Sequence, residues 1–159
     1  MIVTDETLLR VKCTDVLPEE IAPLLEQLER ELQRSNELGR PGIGLAAPQI
    51  GVAKNMAIVR IPKQNGEVIS INLVNCKIKE GYDLAIFDGE GCLSFPGRTE
   101  RTRRFQEILV TDNAVEPERF VASGIVAVCI QHELDHTKGI LLPDISVDRP
   151  KSDPVRGLI

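Results

Sequence analysis

A His-Glu-Leu-Asp-His segment has the residue types and spacing that suit binding of one divalent metal ion. His132 and His136 are four residues apart, so on a helix their imidazoles lie on the same face and can bind one ion. Glu133 is adjacent to the first histidine, where its carboxylate can reach a water activated by the ion and act as a general base. These are the only two histidines in the chain. We therefore predict a metal site with hydrolytic chemistry.

The residues that precede His132 indicate that its helical face points into the protein. Ile125, Val128 and Cys129 stand before it at helical spacing and form an apolar stripe. Two buried imidazoles without polar partners would cost free energy of folding. This favours metal binding over two surface histidines without a role.

Two histidines need a third protein ligand if one coordination position is to stay open for water. A metzincin pattern would have a histidine where Leu142 stands, and a gluzincin pattern needs a downstream glutamate, but no glutamate follows Glu133. Cys92 is the better candidate, because it lies in a glycine-flanked turn and a metal would deprotonate its thiol. The alternatives are three aspartates of a proline-broken tail: Asp144, Asp148 and Asp153. A Cys–His nucleophilic pair would leave the second histidine and the glutamate without roles.

Two helices are predicted around this chemistry. Residues 18–38 have apolar side chains at helical spacing, a proline in the first turn and Gly39 at the end, with a polar opposite face that indicates a covering helix. Residues 124–138 carry both histidines and stop at Gly139. The second helix is therefore expected to hold the metal.

Runs rich in β-branched residues between the helices predict five strands. They are 55–61, 68–74, 76–80, 104–112 and 119–122. Residues 62–66 suit a hairpin turn, and the glycine-dense residues 82–97 predict a long loop. We expect one α+β domain over residues 1–159, with antiparallel β-sheets packed around a central metal-binding helix, an N-terminal covering helix, and a proline-containing tail over 145–159.

Composition limits the classes of function. A net charge of −5 and few aromatic residues argue against nucleic-acid binding. No apolar run approaches the ~20 residues that cross a bilayer, so no membrane partner is expected. Four widely spaced cysteines favour a reducing, cytoplasmic compartment over a disulfide framework. The basic residues 98–104 are either a solvated strand with ion pairs or a substrate contact.

Three segments taken together resemble the motifs of the peptide deformylase family. They are Gly42-Ile-Gly-Leu-Ala-Ala-Pro-Gln49, Glu90-Gly-Cys-Leu-Ser94 and Gln131-His-Glu-Leu-Asp-His136, in this order. The family's forms are G-x-G-L-A-A-x-Q, E-G-C-L-S and Q-H-E-x-D-H, and the sequence is most similar to the bacterial and plastid type. The resemblance implies removal of the N-terminal formyl group from formyl-methionyl nascent polypeptides, with release of formate.

The same resemblance implies roles for individual residues. The metal ligands would be Cys92, His132 and His136. Glu133 would be the general base and acid, and Gln49 and the backbone N–H of Leu93 would donate hydrogen bonds to the formyl oxygen, where fixed donors stabilise a tetrahedral oxyanion. The substrate-binding residues would be Ile43, Gly44, Leu45, Ile125, Val128 and Cys129. Plain core packing is the alternative for each of Ile43, Ile125, Val128 and Cys129.

A supporting pair, cofactors and partners also follow from the resemblance. Glu90 and Arg104 stand where the family has an acidic and a basic residue in register, and we predict a buried or half-buried pair that braces the Cys92 loop. The metal would be Fe²⁺ first, with Zn²⁺ or Ni²⁺ as alternatives, because a His₂Cys site suits several metals. The partners would be N-formylmethionyl peptides, with a transient ribosome contact, and the chain would be a monomer.

Two other functions are weighed against this one. A zincin-like endopeptidase shares the chemistry, but the cysteine ligand, the missing third histidine and the short chain count against it. A domain with a purely structural metal would use four protein ligands, whereas this sequence offers three and an adjacent glutamate.

Overall fold

The structure is a computed structural model that describes residues 1–148. The α-helices among these residues are α1 (Glu6–Leu9), α2 (Pro18–Glu37) and α3 (Gly124–Thr137). The strands among them are β1 (Gly44–Ala46), β2 (Met56–Pro62), β3 (Val68–Val74), β4 (Lys77–Gly91), β5 (Thr99–Thr111) and β6 (Arg119–Ser123). Short 3₁₀ helices span Ala47–Ile50 and Leu142–Ile145. The part of the predicted tail beyond Asp148 lies outside the described residues.

The strands form two antiparallel sheets, which confirms the predicted α+β class. One sheet has the order β1-β2-β3 and the other has the order β4-β5-β6. β2 and β3 form a regular hairpin whose register runs from Met56 opposite Val74 to Pro62 opposite Val68. The two sheets are joined by the short connection between β3 and β4, where Asn75 has a φ of 54°.

Helix α2 covers the outer face of the first sheet. It begins where the sequence indicated, with Pro18 in the first turn and the backbone N–H of Leu17 donating to the Glu20 carboxylate at 3.1 Å. Its buried leucines are Leu24, Leu28 and Leu32. They pack in one hydrophobic cluster with Met56 and Ile58 of β2. Each leucine buried in this way stabilises the fold by roughly 1.5–3 kcal/mol.

Strand β2 is buried on both faces, so it lies between two layers of the protein. Met56 and Ile58 join the cluster on the α2 side, and Ala57 and Val59 join the cluster that contains α3. Successive side chains of a strand point to opposite faces, which explains why a continuous apolar run was needed here. The first sheet therefore separates α2 from α3.

Helix α3 lies at the centre of the molecule. Every residue from Ala127 to His136 is buried, and the helix contacts β1 and β2 of the first sheet and β5 and β6 of the second. It begins after Ser123 at Gly124, which has a φ of 62°. Residues of α3 can therefore meet residues from both sheets. None of the helices within residues 1–148 is long and apolar enough to span a membrane.

The prediction of a long loop over residues 82–97 was wrong. β4 continues to Gly91 and pairs with β5 as a long hairpin, so the irregular connection covers only residues 92–98. Glycine and aspartate are poor strand formers, but pairing with β5 overrides that local preference. Register shifts between Ile78 and Glu80 and between Phe87 and Glu90 absorb the residues that do not fit a regular strand, and Gly89 within the second shift has a positive φ. The strand predicted over 76–80 is the first part of β4.

Candidate metal centre

Cys92, His132 and His136 are brought together by the fold, with their ligating atoms all within 4.8 Å of one another. α3 carries both histidines, and Cys92 is the first residue after β4. The Cys92 Sγ lies 3.4 Å from Nε2 of His136. Bond lengths of about 2.3 Å to sulfur and 2.0–2.1 Å to nitrogen in a tetrahedral site give a sulfur–nitrogen separation of about 3.5 Å. The spacing of these donors therefore fits one metal ion.

The aspartates weighed as alternative ligands are held elsewhere. Asp144 forms a two-pronged ion pair with Arg10, at 2.7 and 2.8 Å, and Asp148 lies 3.6 Å from Arg101. Asp153 lies outside the described residues. The grouping of Cys92 with the two histidines therefore favours the cysteine as the third ligand.

Glu90 determines the orientation of the His132 ring. Its Oε2 lies 2.7 Å from Nδ1 of His132, so Nε2 is the nitrogen left to face the metal site. Burial alone would lower the pKa of His132, but hydrogen bonds with Cys92 and Glu90 and the charge of Glu133 raise it well above the ordinary value. This is the carboxylate–histidine arrangement that surrounds bound metals in proteins.

The other histidine is held in its neutral form. Burial, followed by the positive charges of His132 and Arg104, lowers the pKa of His136 well below its ordinary value. Its Nδ1 has no hydrogen-bond partner among the described residues, and its Nε2 faces Cys92. A neutral imidazole is the form that binds a metal, so His136 is ready to act as a ligand.

Glu133 is a buried carboxyl that follows His132 on α3 and lines the same cavity as Cys92 and His132. Burial raises the pKa of Glu133 to about 7, against the opposing charge of His132. Its Oε1 has no partner among the described residues, and a Cβ on Gly44 of β1 would overlap its Oε2. A carboxyl that titrates near neutrality can both accept and return a proton.

Arg104 connects the Glu90 side of the site to α3. Its guanidinium donates to both carboxylate oxygens of Glu90, at 2.8 and 2.6 Å, and to Asp135 at 2.7 Å. The Thr102 hydroxyl also donates to Glu90 at 2.8 Å. Burial opposes ionisation of Glu90, but Arg104 and His132 hold its pKa well below the usual range. The predicted pair of Glu90 and Arg104 is present and buried.

Asp135 is a member of this network to which the sequence analysis gave no role. It lies three residues after His132 on α3 and is 4% exposed, so it faces the same interior. An acidic residue inside a buried stretch of helix needs a cationic partner, and that signal could have pointed to Arg104.

Gln49 and the Cys92 turn meet beside the ligands. The Gln49 Oε1 accepts from the Ala46 backbone N–H at 3.0 Å, and its Nε2 lies 3.1 Å from the Ser94 hydroxyl and 3.6 Å from the Cys92 Sγ. Leu93 follows Cys92, and its side chain packs so closely on Gly42 that a Cβ there would lie 2.6 Å from Cδ1. The fold thus brings Gln49 and Leu93 to the metal site.

Gln131 holds α3 against β5 where β6 has ended. Its amide accepts from the Phe105 backbone N–H at 2.9 Å and donates to the Phe105 carbonyl at 2.8 Å, as a neighbouring strand would. Gln131 belongs to the third motif, but no role for it was predicted from the sequence. Gln131 directly precedes His132 on α3, so these hydrogen bonds fix the position of His132 relative to the second sheet.

A cavity of about 690 Å³ leads to the ligands. Its walls include five of the six residues predicted to bind substrate: Ile43, Gly44, Ile125, Val128 and Cys129. Leu45 was wrongly placed among them. Its side chain is fully buried in the cluster beneath α2, because the residue after Gly44 on a strand points to the opposite face. Burial raises the pKa of Cys129 to about 12, so its thiol is an apolar wall.

The basic residues 98–104 divide between several environments. Arg98 lines the mouth of the cavity and pairs with Glu100. Arg101 and Arg103 are exposed, and Arg104 is buried in the network described above. Arg101 therefore forms a surface ion pair, as the first alternative predicts, while a substrate contact stays a prediction for Arg98, which lines the cavity.

Comparison with known proteins shows similarity over nearly the whole chain. A model of the family described as polypeptide deformylase matches residues 1–151. A peptide deformylase of Heliobacterium modesticaldum is 40% identical over 114 residues, which cover 70% of this chain and 69% of that protein. A probable peptide deformylase from Synechococcus phage S-SSM7 superposes with a TM-score of 0.78 at 32% identity, covering 91% of this chain and 98% of the other. A Synechococcus elongatus peptide deformylase in complex with actinonin gives 0.76 at 33%, covering 94% and 80%.

Proposed function

Because this chain belongs to the polypeptide deformylase family and removes the N-terminal formyl group of nascent polypeptides, we propose that Cys92, His132 and His136 hold its metal and that Glu133 moves the protons of the reaction. The enzyme is a metal-dependent hydrolase, and the reaction releases formate. The observation that carries the proposed roles is the group of three ligand atoms at a cavity whose lining also includes the buried Glu133.

The donor set fits a divalent ion with an open position. One thiol and two imidazoles converge, one imidazole is oriented by Glu90, and the other is neutral. A metal bound there would supply a Lewis acid that lowers the pKa of a water and polarises the formyl carbonyl. We propose Fe²⁺ as the physiological ion, with Zn²⁺ or Ni²⁺ able to take the same site, because soft sulfur and imidazole ligands suit all of these ions.

Glu133 carries the proton through the reaction. Its carboxylate accepts a proton from the attacking water as the new carbon–oxygen bond forms. It then gives that proton to the amide nitrogen as the carbon–nitrogen bond breaks. The proton left on the new hydroxyl passes to the freed amine, so formate and a protonated amino terminus leave. A pKa raised to about 7 by burial suits both steps, because neither form of the carboxyl is strongly favoured near neutral pH.

Two donors are proposed to stabilise the charge that develops on the formyl oxygen. The Gln49 side-chain amide reaches the site beside Cys92, and the Leu93 backbone follows Cys92 in the same turn. Fixed donors of this kind act where water is excluded, and the loss of one costs about 3 kcal/mol in the barrier.

The apolar part of the cavity is proposed to bind the methionine side chain of the substrate. Ile43 lies on one wall, and Ile125, Val128 and Cys129 of α3 form another. Gly44 allows the substrate backbone to come near Glu133, because any side chain there would overlap the carboxylate. The substrates would be N-formylmethionyl peptides.

The compartment, the oligomeric state and the ribosome contact of the enzyme are also proposals. The four cysteines, including Cys92, are free thiols in the structure, which agrees with a reducing, cytoplasmic compartment. We propose that the chain works as one catalytic domain and as a monomer, with a transient ribosome contact when it meets a nascent chain.

Formate release from a formyl-Met-Ala-Ser tripeptide by the Fe²⁺-loaded protein under anaerobic conditions tests the roles. Glu133→Gln should keep the metal and lose turnover by at least ~100-fold, since general-base catalysis contributes on this scale. Cys92→Ala should lose the metal itself. Asp148→Asn, at a surface ion pair, is the control and should keep both. Full turnover in Glu133→Gln would refute the role of Glu133.

A further inference from the structure

We propose that Ser94 is a positioning residue, which holds the Gln49 side-chain amide in the orientation that aims one of its N–H groups into the metal site. The inference depends on the proposed role of Gln49 and extends it to a residue that does not touch the metal ligands. Ser94 is 2% exposed and Gln49 is 1% exposed, so solvent does not set the orientation of either side chain.

The backbone fixes which end of the Gln49 amide faces the site. The Ala46 N–H donates to Oε1 at 3.0 Å, and an N–H cannot donate to the nitrogen end of the amide. The nitrogen therefore faces the Cys92 turn. This contact leaves rotation about the last side-chain bond incompletely restrained, because one hydrogen bond does not define the plane of the amide.

Ser94 supplies the second restraint. Its hydroxyl oxygen accepts from the Gln49 Nε2 at 3.1 Å. The amide nitrogen carries two N–H groups in one plane. With one of them directed at Ser94, the other is directed toward the side of the cavity where the Cys92 Sγ lies, 3.6 Å from Nε2. The amide plane is thus set by contacts at both of its ends.

The same turn carries the ligand and the positioning residue. The Phe95 N–H donates to the Cys92 carbonyl at 3.0 Å, which closes a turn that contains Leu93 and Ser94. Ser94 therefore keeps a constant relation to Cys92, and through Ser94 the Gln49 donor does so as well. The hydroxyl links the donor to the ligand turn, and Ser94 itself does not line the cavity.

Removal of the hydroxyl should misalign the donor and leave the ligands intact. In Ser94→Ala one buried N–H of Gln49 loses its acceptor and the amide is free to turn toward another partner. We expect kcat to fall by roughly 10-fold, less than the 10²–10³-fold typical of deleting such a donor. We expect KM and metal content to stay unchanged. Ser94→Thr, which keeps a hydroxyl, should restore most of the kcat.

A double-mutant cycle separates positioning from a general effect. If Ser94 acts through Gln49, Ser94→Ala should have no further effect on kcat in a Gln49→Ala background. An equal fall in kcat in both backgrounds would overturn the inference. Thr111→Val is the matched control, because it removes another buried hydroxyl, which donates to the Asp112 carbonyl at 3.2 Å at the far end of β5. Thr111→Val should leave kcat unchanged both in the wild-type protein and in the Gln49→Ala background.

A cycle on unfolding tests the contact without turnover. In urea unfolding of the metal-free protein, Ser94→Ala and Gln49→Ala should be non-additive if their hydrogen bond exists, and additive effects would overturn the inference. Failure of the wild type to release formate would instead count against the proposed function, so the two failures are distinguishable. Positioning also requires that Ser94→Ala retain the metal in the loaded protein; loss of metal would mean that Ser94 supports the ligand turn and would also overturn the inference.

Discussion

The Nδ1 atom of His132 lies 2.7 Å from Oε2 of Glu90, and this contact decides which nitrogen of the ring faces the metal site. Glu90→Gln should therefore weaken metal binding by about 10–100-fold, the usual effect of removing such a partner. Competition with a chromophoric chelator measures the affinity. Glu100→Gln removes a carboxylate that pairs with Arg98 and serves as the control. An unchanged affinity in Glu90→Gln would refute the orienting role.

The Arg104 guanidinium is buried between Glu90 and Asp135, and two carboxylates depend on its charge. Arg104→Leu should reduce the free energy of unfolding by about 3–5 kcal/mol, because it leaves buried negative charges without a partner. Urea unfolding of the metal-free protein measures this. The neighbouring Arg103 is exposed, so Arg103→Leu should change stability by no more than about 0.5 kcal/mol. Equal effects of the two substitutions would contradict the assigned network.

Gly44 leaves room for the Glu133 carboxylate, which a Cβ would overlap. Gly44→Ala should displace that carboxylate or β1, and a misplacement of about 1 Å can cost ~100-fold in rate. Metal content should stay near one equivalent, since the three atoms nearest to the new methyl group all belong to Glu133 and none to a ligand residue. Turnover and metal content measured on the same sample decide the matter. If Gly44→Ala kept wild-type turnover, the close approach of Gly44 to the Glu133 carboxylate would not be important for the chemistry.

Burial raises the pKa of Glu133 from the usual 4.5 to about 7, so in the metal-free protein the folded state holds this proton more tightly than the unfolded state. Stability from this group is therefore present below pH 4.5 and is lost as the pH rises to about 7. The loss is about 3 kcal/mol at most. Unfolding with a chelator present should show that Glu133→Gln gains stability over the wild type between pH 5 and pH 8. A constant difference across this range would refute the buried titration.

Burial raises the pKa of the Cys129 thiol to about 12 and of the Cys13 thiol to about 11, and it raises that of Cys76 as well. These thiols should therefore react slowly with iodoacetamide at pH 8, because the thiolate is the nucleophile. Cys92 lies on the cavity wall, and its alkylation in metal-free protein should stop when metal is bound. Peptide mapping by mass spectrometry measures each site. Equal alkylation of Cys92 with and without metal would contradict its role as a ligand.

The sequence by itself determined the local features of this protein. The i, i+4 spacing of His132 and His136 within an apolar helix required a shared inward face, and the leucines of α2 required a covering helix, because both depend on a period that is visible along the chain. The turn around Cys92 favoured this residue as the third ligand, and the motif resemblance then supplied Gln49 and the pair of Glu90 and Arg104.

Only the tertiary structure decided the relations between distant segments. The glycine-dense residues 82–91 became strand because pairing with β5 outweighed their local preference. Asp135 and Ser94 acquired partners from other elements, at distances that no spacing along the chain reveals. Leu45 was excluded from the cavity because the pleat of β1 turns it toward α2. Side-chain contacts across a fold depend on packing and register, and these are set by the whole chain at once.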